Sequence, residues 1–205
     1  MIRRGVVHSF YSVFVGGLAA VAFAFGIVGG ARESAFAADD PAVQFVQRMT
    51  RELIAANKAG SVIAFTDTFK RNANIPAIGT YALGSHQSKL PQTDRETYYN
   101  GMVRFISRYA ATESAKYQVS HVQITGPAQR VNAGVTVDTK VHLRDGQSYD
   151  VQWLLQQSAG GYRVRDAKVQ VLLGDYWMTP FLKDLFEKYI AENGSVAALV
   201  VALNR

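Results

Sequence analysis

The 205-residue sequence contains no cysteine, and this absence excludes several kinds of chemistry at once. Without a thiol the protein cannot form disulfides, bind a metal through thiolates, use a cysteine nucleophile or carry a lipid on an N-terminal cysteine. Its stability must therefore come from a packed core, and a chain of this length is long enough to bury one.

Histidine is also scarce, with four residues, His8, His86, His121 and His142. No two of them have the H-x-x-x-H spacing of helical metal ligands. A metal site would require His121 and His142 to be neighbours on adjacent strands with carboxylates beside them, whereas isolated strand histidines are expected at the surface. The sequence therefore predicts no metal centre and no cofactor.

The motifs of common nucleotide and hydrolase sites are missing as well. The sequence has no G-x-S-x-G, P-loop or G-x-G-x-x-G pattern, so nucleophile-elbow hydrolases, phosphate cradles and dinucleotide sites have no local support. Asp67 and Asp166 are single acids in apolar surroundings. Either could serve as a lone general base in an apolar pocket, although capping, turn and ion-pair roles are more common. Nothing in these motifs demands an enzyme.

Long runs of positive charge are absent, although 22 lysines and arginines stand against 16 aspartates and glutamates and give a formal net charge of +6. The densest basic group is the dipeptide Lys70-Arg71. Nucleic-acid patches usually contain roughly five to eight clustered basic residues. The charge pattern therefore argues against nucleic-acid binding.

The N-terminal segment has the parts of an export signal. Arg3 and Arg4 precede an apolar run over residues 13–28, and residues 35–37 (Ala-Phe-Ala) have the small-x-small pattern that a signal peptidase accepts. The alternative is a membrane anchor, because the apolar stretch counted from Val6 approaches the ~20 residues that span a bilayer. We predict a signal peptide that ends at residue 37.

The remaining residues, 38–205, are predicted to form a single domain in which helices come first and strands later. Apolar residues recur at helical spacing in several segments that open with capping residues and close at glycines. The predicted helices begin at Asp39 or Asp40, Ser61, Thr93 and Trp177, with a short apolar segment over residues 75–83 and a last helix over residues 195–203.

Four strands are predicted between the long helix and the C-terminal helices. Apolar residues alternate with polar ones in the second and third strands, which indicates a sheet with one covered face, and the fourth changes phase near Asp166-Ala167, which indicates a bulge. The domain is therefore expected to be α+β, with helices packed on one face of a bent antiparallel four-stranded sheet. The predicted strands are residues 119–125, 130–143, 148–157 and 162–173.

Aromatic residues are abundant, with ten tyrosines and eleven phenylalanines, many of them on the apolar helix faces. This number suits a cavity lined for a large apolar ligand. The same pattern is also what a filled core requires, and apolar periodicity does not separate the two.

The order of several short motifs resembles the MlaC family, also called toluene-tolerance or ABC-transporter auxiliary proteins. The resemblance extends over nearly all of the chain beyond the export signal. Ser85-His86-Gln87 replaces a tryptophan that commonly follows the Leu-Gly element. Thr179-Pro180 stands where the family usually has an arginine in the helix after the last strand. These departures suggest a divergent branch such as the hopanoid-associated subgroup. The matching residues are Asp40-Pro41, Phe65 to Phe69, Ala82-Leu83-Gly84, Tyr98-Tyr99, Phe105-Ile106, Tyr109, Val164 to Val169, and Asn193 to Val200.

The resemblance implies a cone-shaped fold of the nuclear-transport-factor type and a periplasmic, non-enzymatic carrier that holds phospholipid tails between helices and sheet. Its implied partners are the MCE-domain subunit of an inner-membrane ABC transporter and an outer-membrane lipoprotein complex. Alternatives are a hopanoid-associated lipid carrier, an enzyme on a similar fold that uses Asp67 or Asp166, and a structural subunit with a filled core. Taken with the apolar periodicity, the expected lipid-binding residues are Val135, Val137, Val151, Trp153 and Leu155 of the sheet and Phe105, Tyr109, Phe181 and Phe186 of the helices.

Overall fold

A computed structural model describes residues 40–171 and 174–205. The predicted signal peptide lies outside the described residues. None of the helices in these residues has the length and hydropathy that a bilayer span requires. The helices are α1 (Pro41–Ala59), α2 (Val62–Asn72), α3 (Ile75–Leu83), α4 (Arg95–Ser114), α5 (Met178–Asn193) and α6 (Val196–Leu203). The strands are β1 (Val119–Ile124), β2 (Gln129–Val131), β3 (Gly134–Leu143), β4 (Ser148–Ser158), β5 (Gly161–Val171) and β6 (Gly174–Trp177).

Local capping chemistry sets the ends of the first helix. The Asp40 side chain accepts hydrogen bonds from the backbone N–H groups of Ala42 at 2.7 Å and Val43 at 3.4 Å, and Pro41 occupies the first turn, where its missing N–H costs nothing. Gly60 ends the helix in the left-handed conformation, with φ of 58°. The first helix therefore begins at the predicted cap.

The strands form one antiparallel sheet in the order β1-β3-β4-β5-β6 within the described residues, and β2 pairs with the start of β3 on the same side as β1. The predicted α+β architecture is confirmed, but the strand count differs from four in two places. The predicted strand over residues 130–143 is two strands, since the chain turns between Val131 and Gly134 and pairs back on itself. A short strand, β6, also precedes α5 and pairs with β5.

The bend expected in the last long strand is present. Leu154 pairs with Asp166 whereas Leu155 pairs with Val164, so Arg165 is an extra residue in β5. This bulge lies next to the predicted position at Asp166. A bulge increases local twist and bends the strand, and it places Asp166 opposite the first turn of α5.

Two hydrophobic clusters join the helices to each other and to the sheet. In the first, α1 packs through Phe45 and Val46 on Val137 and Leu155 of the sheet. In the second, α3, α4, α5 and α6 pack on one another around Phe186, which is fully buried. The helices therefore form a layer over one face of the curved sheet.

Candidate functional site

An apolar cavity of about 260 Å³ lies between the helix layer and the bulged part of the sheet. All five helices from α1 to α5 contribute to its wall, together with β4 and β5. Its apolar lining includes Met49 and Leu53 of α1, Phe69 of α2, Ile75 and Ile78 of α3, Met102, Val103, Phe105, Ile106 and Tyr109 of α4, Trp153 of β4, Val164 and Ala167 of β5, and Met178, Phe181 and Leu182 of α5.

The few polar side chains in this wall are already engaged within the protein. The Thr68 hydroxyl donates to the Ala64 carbonyl at 2.8 Å. The Asn72 amide donates to the Thr68 carbonyl at 2.9 Å and to the Glu52 carboxylate at 2.8 Å. Because these groups have their hydrogen bonds elsewhere, the space they border offers an apolar surface to a ligand.

Trp153 is held against the cavity by a chain of hydrogen bonds inside the sheet. Its indole N–H donates to the Thr139 hydroxyl at 3.0 Å, and that hydroxyl donates to the Val151 carbonyl at 3.0 Å. The polar end of the indole is thus satisfied by the sheet. The ring is left to present its apolar area to the cavity.

The structure brings four of the nine predicted lipid-binding residues together around this cavity: Phe105, Tyr109, Trp153 and Phe181. Burial raises the pKa of the Tyr109 hydroxyl, with smaller contributions from Glu113 and Tyr117, so the phenol is neutral at ordinary pH.

The other five predicted residues belong to the packed core. Val135, Val137 and Leu155 lie under α1, and Phe186 of α5 lies between α3, α4 and α6 in edge contact with Tyr98 and Phe105. Val151 packs with Val141 and Leu143 at the far end of the sheet. They share the inward face of the sheet or helix with the cavity residues, but a neighbouring side chain fills the space in front of them.

The predicted lipid-binding set lacks the residues that α1, α2 and α3 contribute to the wall. Met49, Phe69 and Ile78 occupy ordinary apolar positions of their helices, and the periodicity of each helix says only that one face is inward. Nothing in the local sequence distinguishes a cavity position from a core position.

The two acids considered as catalytic bases have different surroundings. Asp67 is an exposed residue of α2 and does not line the cavity. Asp166 does line it, and one carboxylate oxygen accepts hydrogen bonds from the backbone N–H groups of Ala167 at 2.8 Å and Thr179 at 2.9 Å. Burial raises the Asp166 pKa, and the hydrogen bonds from Thr179 and Ala167 oppose that rise.

His121 and His142 are direct cross-strand neighbours on β1 and β3, as a metal site would have required. Their rings stack in parallel, with centroids 4.3 Å apart and planes inclined by 7°. No group of three or more potential ligands occurs among the described residues. The two histidines therefore form a stacked pair that no third ligand joins in this part of the chain.

A second pocket, which we call the polar pocket, adjoins the apolar cavity. Both are bordered by Ala73, Ile75 and Val103. The polar pocket is wider, about 790 Å³, and its wall carries charged and amide side chains.

Comparison with known proteins identifies the family. The family model described as MlaC protein matches residues 42–204. The chain belongs to the MlaC family. No curated protein gives a significant match.

Solved structures with a similar fold include the phospholipid-binding protein of Ralstonia solanacearum, determined in complex with a phospholipid. That structure and this MlaC protein are 18% identical in sequence, with a TM-score of 0.63. The alignment covers 78% of this chain and 93% of the other. The similarity confirms the fold.

Proposed function

We propose that this MlaC protein is a non-catalytic carrier that encloses the acyl tails of a phospholipid in the apolar cavity. The observation that carries the proposal is the cavity itself, which is built from seven elements and whose Thr68 and Asn72 side chains are already hydrogen-bonded within the protein. A phospholipid in a relative of the same fold supports the choice of ligand.

The energetics of lipid transfer explain why such a cavity must be deep and apolar. Each methylene group that leaves water contributes about 0.8 kcal/mol, so tails left exposed would return the lipid to a bilayer. The volume of about 260 Å³ is below the ~300–1,000 Å³ of pockets that enclose drug-sized ligands. Loading of two complete tails therefore requires the wall to move outward, and the side of the wall formed by helix-to-helix packing is easier to displace than the hydrogen-bonded sheet.

The surroundings of the acids favour a carrier over an enzyme. Asp67 is exposed and does not line the cavity, and the Asp166 oxygen that accepts two backbone hydrogen bonds acts as a structural cap. Among the described residues that line the cavity, no histidine or second carboxylate accompanies Asp166 to complete an acid–base pair. If substitution of these acids abolished the formation of lipid turnover products while lipid binding persisted, the enzyme would be favoured instead.

We further propose that the cycle takes place in the periplasm, between an outer-membrane lipoprotein complex and an inner-membrane ABC transporter with an MCE-domain subunit. Membership of the MlaC family supports this part of the proposal. A hopanoid is an alternative cargo, because a polycyclic lipid presents apolar surface of similar extent.

The proposal can be tested by native mass spectrometry and organic extraction of the protein purified without detergent. We expect a stoichiometric phospholipid in the native protein and in the control variant Ala133→Phe, which adds a phenyl ring at an exposed turn. Ala167→Phe places that ring inside the cavity and is expected to reduce loading severely. A native protein that carries no lipid after incubation with vesicles would overturn the proposal, and an adduct of hopanoid mass would change the cargo.

A further inference from the structure

The polar pocket beside the apolar cavity has the charge and position of a headgroup site. Its wall contains the cations Lys70, Arg95 and Arg163 and one carboxylate, Glu96. Because Ala73, Ile75 and Val103 border both spaces, a lipid with its tails in the apolar cavity can reach the polar pocket without crossing open solvent.

The long helix α4 borders the polar pocket and then the apolar cavity along its axis. Arg95, Tyr99 and Val103 are four residues apart and therefore share one face of the helix, with Arg95 in the first turn. The apolar cavity is bordered by the following part of the helix, from Met102 to Tyr109. With a rise of about 1.5 Å per residue, Arg95 is roughly 12 Å from Val103 along the helix axis. The cationic groups are thus at one end of the apolar space.

Arg163 is held in place before any ligand arrives. Its guanidinium donates to the backbone carbonyls of Lys70 at 3.0 Å and of Arg71, at the C-terminal end of α2. A guanidinium fixed in this way loses little conformational entropy when it contacts an anion.

Lys70 and Arg95 differ from Arg163 in having no internal partner. Neither side chain forms a hydrogen bond or ion pair with another described residue, whereas five other lysines and arginines of that part of the chain form ion pairs with carboxylates. Glu96 is the single carboxylate in the wall against three cations. The pocket therefore has an excess of positive charge that its own acid does not neutralise.

We infer that the polar pocket binds the phosphate of an anionic phospholipid headgroup and makes this MlaC protein select anionic over zwitterionic lipids. The inference rests on the proposed carrier function. A zwitterionic headgroup brings its own ammonium group into the same cationic surroundings, and that group is repelled, whereas an anionic headgroup gains attraction from all three side chains.

The test is a competition between lipids that differ only in the headgroup. The full chain is expressed for export, purified and incubated with vesicles that contain equal amounts of phosphatidylglycerol and phosphatidylethanolamine with identical tails, and the two loaded species are counted by native mass spectrometry. We expect phosphatidylglycerol to exceed phosphatidylethanolamine by about fivefold or more (~1 kcal/mol). The preference should decrease as salt rises from about 0.05 M to about 0.5 M, because screening weakens it.

The decisive variant is Lys70→Gln combined with Arg95→Gln, which leaves the helix-capping Arg163 intact. It should load less phosphatidylglycerol than the native protein does while phosphatidylethanolamine is still loaded, so that the preference falls to near unity. The control combines Arg144→Gln with Lys188→Gln, which removes the same charge at exposed positions that line neither pocket. It should keep the native preference, and circular dichroism should show both proteins folded.

The outcomes separate this inference from the proposed function. Full loading of the native protein without headgroup preference would overturn the inference and leave the carrier intact, whereas no loading of either lipid would overturn the carrier. Glycerol phosphate, which has the phosphate without the tails, is titrated in parallel. If Lys70→Gln/Arg95→Gln abolishes its binding while the native protein shows no lipid preference, the ligand is a free organic phosphate and the lipid assignment is wrong.

Discussion

The Asp166 carboxylate accepts a hydrogen bond of 2.9 Å from the backbone N–H of Thr179, and this contact joins the bulge of β5 to the first turn of α5. The cap residue Trp177 provides no side-chain hydrogen bond to that helix. Asp166 supplies it from a neighbouring strand, and a negative charge at this end of a helix also interacts favourably with the helix dipole.

Replacement of Asp166 should therefore lower the free energy of unfolding rather than remove a catalytic activity. We expect Asp166→Ala to lower the free energy of unfolding by about 1–2 kcal/mol, since it leaves two backbone N–H groups without their acceptor. Asp166→Asn retains an acceptor oxygen and should lose less. Urea denaturation followed by circular dichroism measures both. Equal losses for the two variants would contradict the capping role.

Trp153 should report on occupancy of the cavity. The protein has two tryptophans, Trp153 in the cavity wall and Trp177 at the start of α5. With Trp177→Phe the remaining fluorescence comes from Trp153, and we expect lipid tails brominated near their ends to quench it. In the matched variant Trp153→Phe, quenching should be lost while loading continues. Full loading without quenching in the Trp177→Phe protein would locate the tails elsewhere.

The hydrogen bond between Trp153 and Thr139 should orient that indole. Thr139→Val keeps the volume but leaves the part-buried indole N–H without its acceptor, which is expected to cost about 1 kcal/mol of unfolding free energy. Thr136→Val at another buried position of β3 serves as the control, because no side-chain hydrogen bond is found for Thr136 among the described residues. Urea denaturation of the two variants gives the comparison. Similar losses for both would show that the indole bond contributes nothing.

The stacked histidine pair predicts a pH dependence of stability. Burial lowers the pKa of His142, as do the neighbouring His121 and Lys140, while Asp150 opposes them. The unfolded chain therefore binds the proton more readily than the folded chain, and the free energy of unfolding should fall as pH drops through the unfolded value of about 6.5. Urea denaturation between about pH 7.5 and about pH 5.5 measures the slope. His142→Gln should flatten that slope, and an unchanged slope would exclude the pair as its source.

Gly84 should tolerate no side chain. It ends α3 with φ of 53° and ψ of −128°, and a β-carbon there would lie 2.3 Å from a Glu187 side-chain oxygen on α5. We expect Gly84→Ala to destabilise the protein by more than about 1 kcal/mol through backbone strain at this positive φ, while the flexible Glu187 side chain moves aside. Gly126→Ala is the control, because the space around Gly126 is open. Thermal denaturation distinguishes the two, and equal melting temperatures would contradict the expectation.

Features encoded locally could be predicted from the sequence. The cap at Asp40 and the bulge beside Asp166 each follow from a few adjacent residues, and both lie where the sequence indicated. The split between β2 and β3 could not be predicted in the same way, because the alternation of apolar residues from Val131 to Leu143 continues through a turn that only strand pairing reveals.

The distinction between cavity and core depends on contacts that no local pattern records. Val137 and Trp153 are paired in adjacent strands and face the same layer, yet α1 covers the first while the second borders open space. What differs is where the helices leave a gap, and that depends on how five helices pack together. The polar pocket was missed for the same reason, since Lys70, Arg95 and Arg163 are distant in sequence.

The connectivity of the sheet has a consequence for the order of folding. From β2 onward each strand pairs with the next along the chain, and contacts of such short sequence separation form early, on the microsecond scale of single hairpins. Helix α5, which forms one wall of the apolar cavity, must instead pack on α3 and α4, and these helices lie about a hundred residues earlier in the chain. Closing so long a loop is slow, and we expect the cavity to be completed last, when α5 docks on a sheet that has already formed.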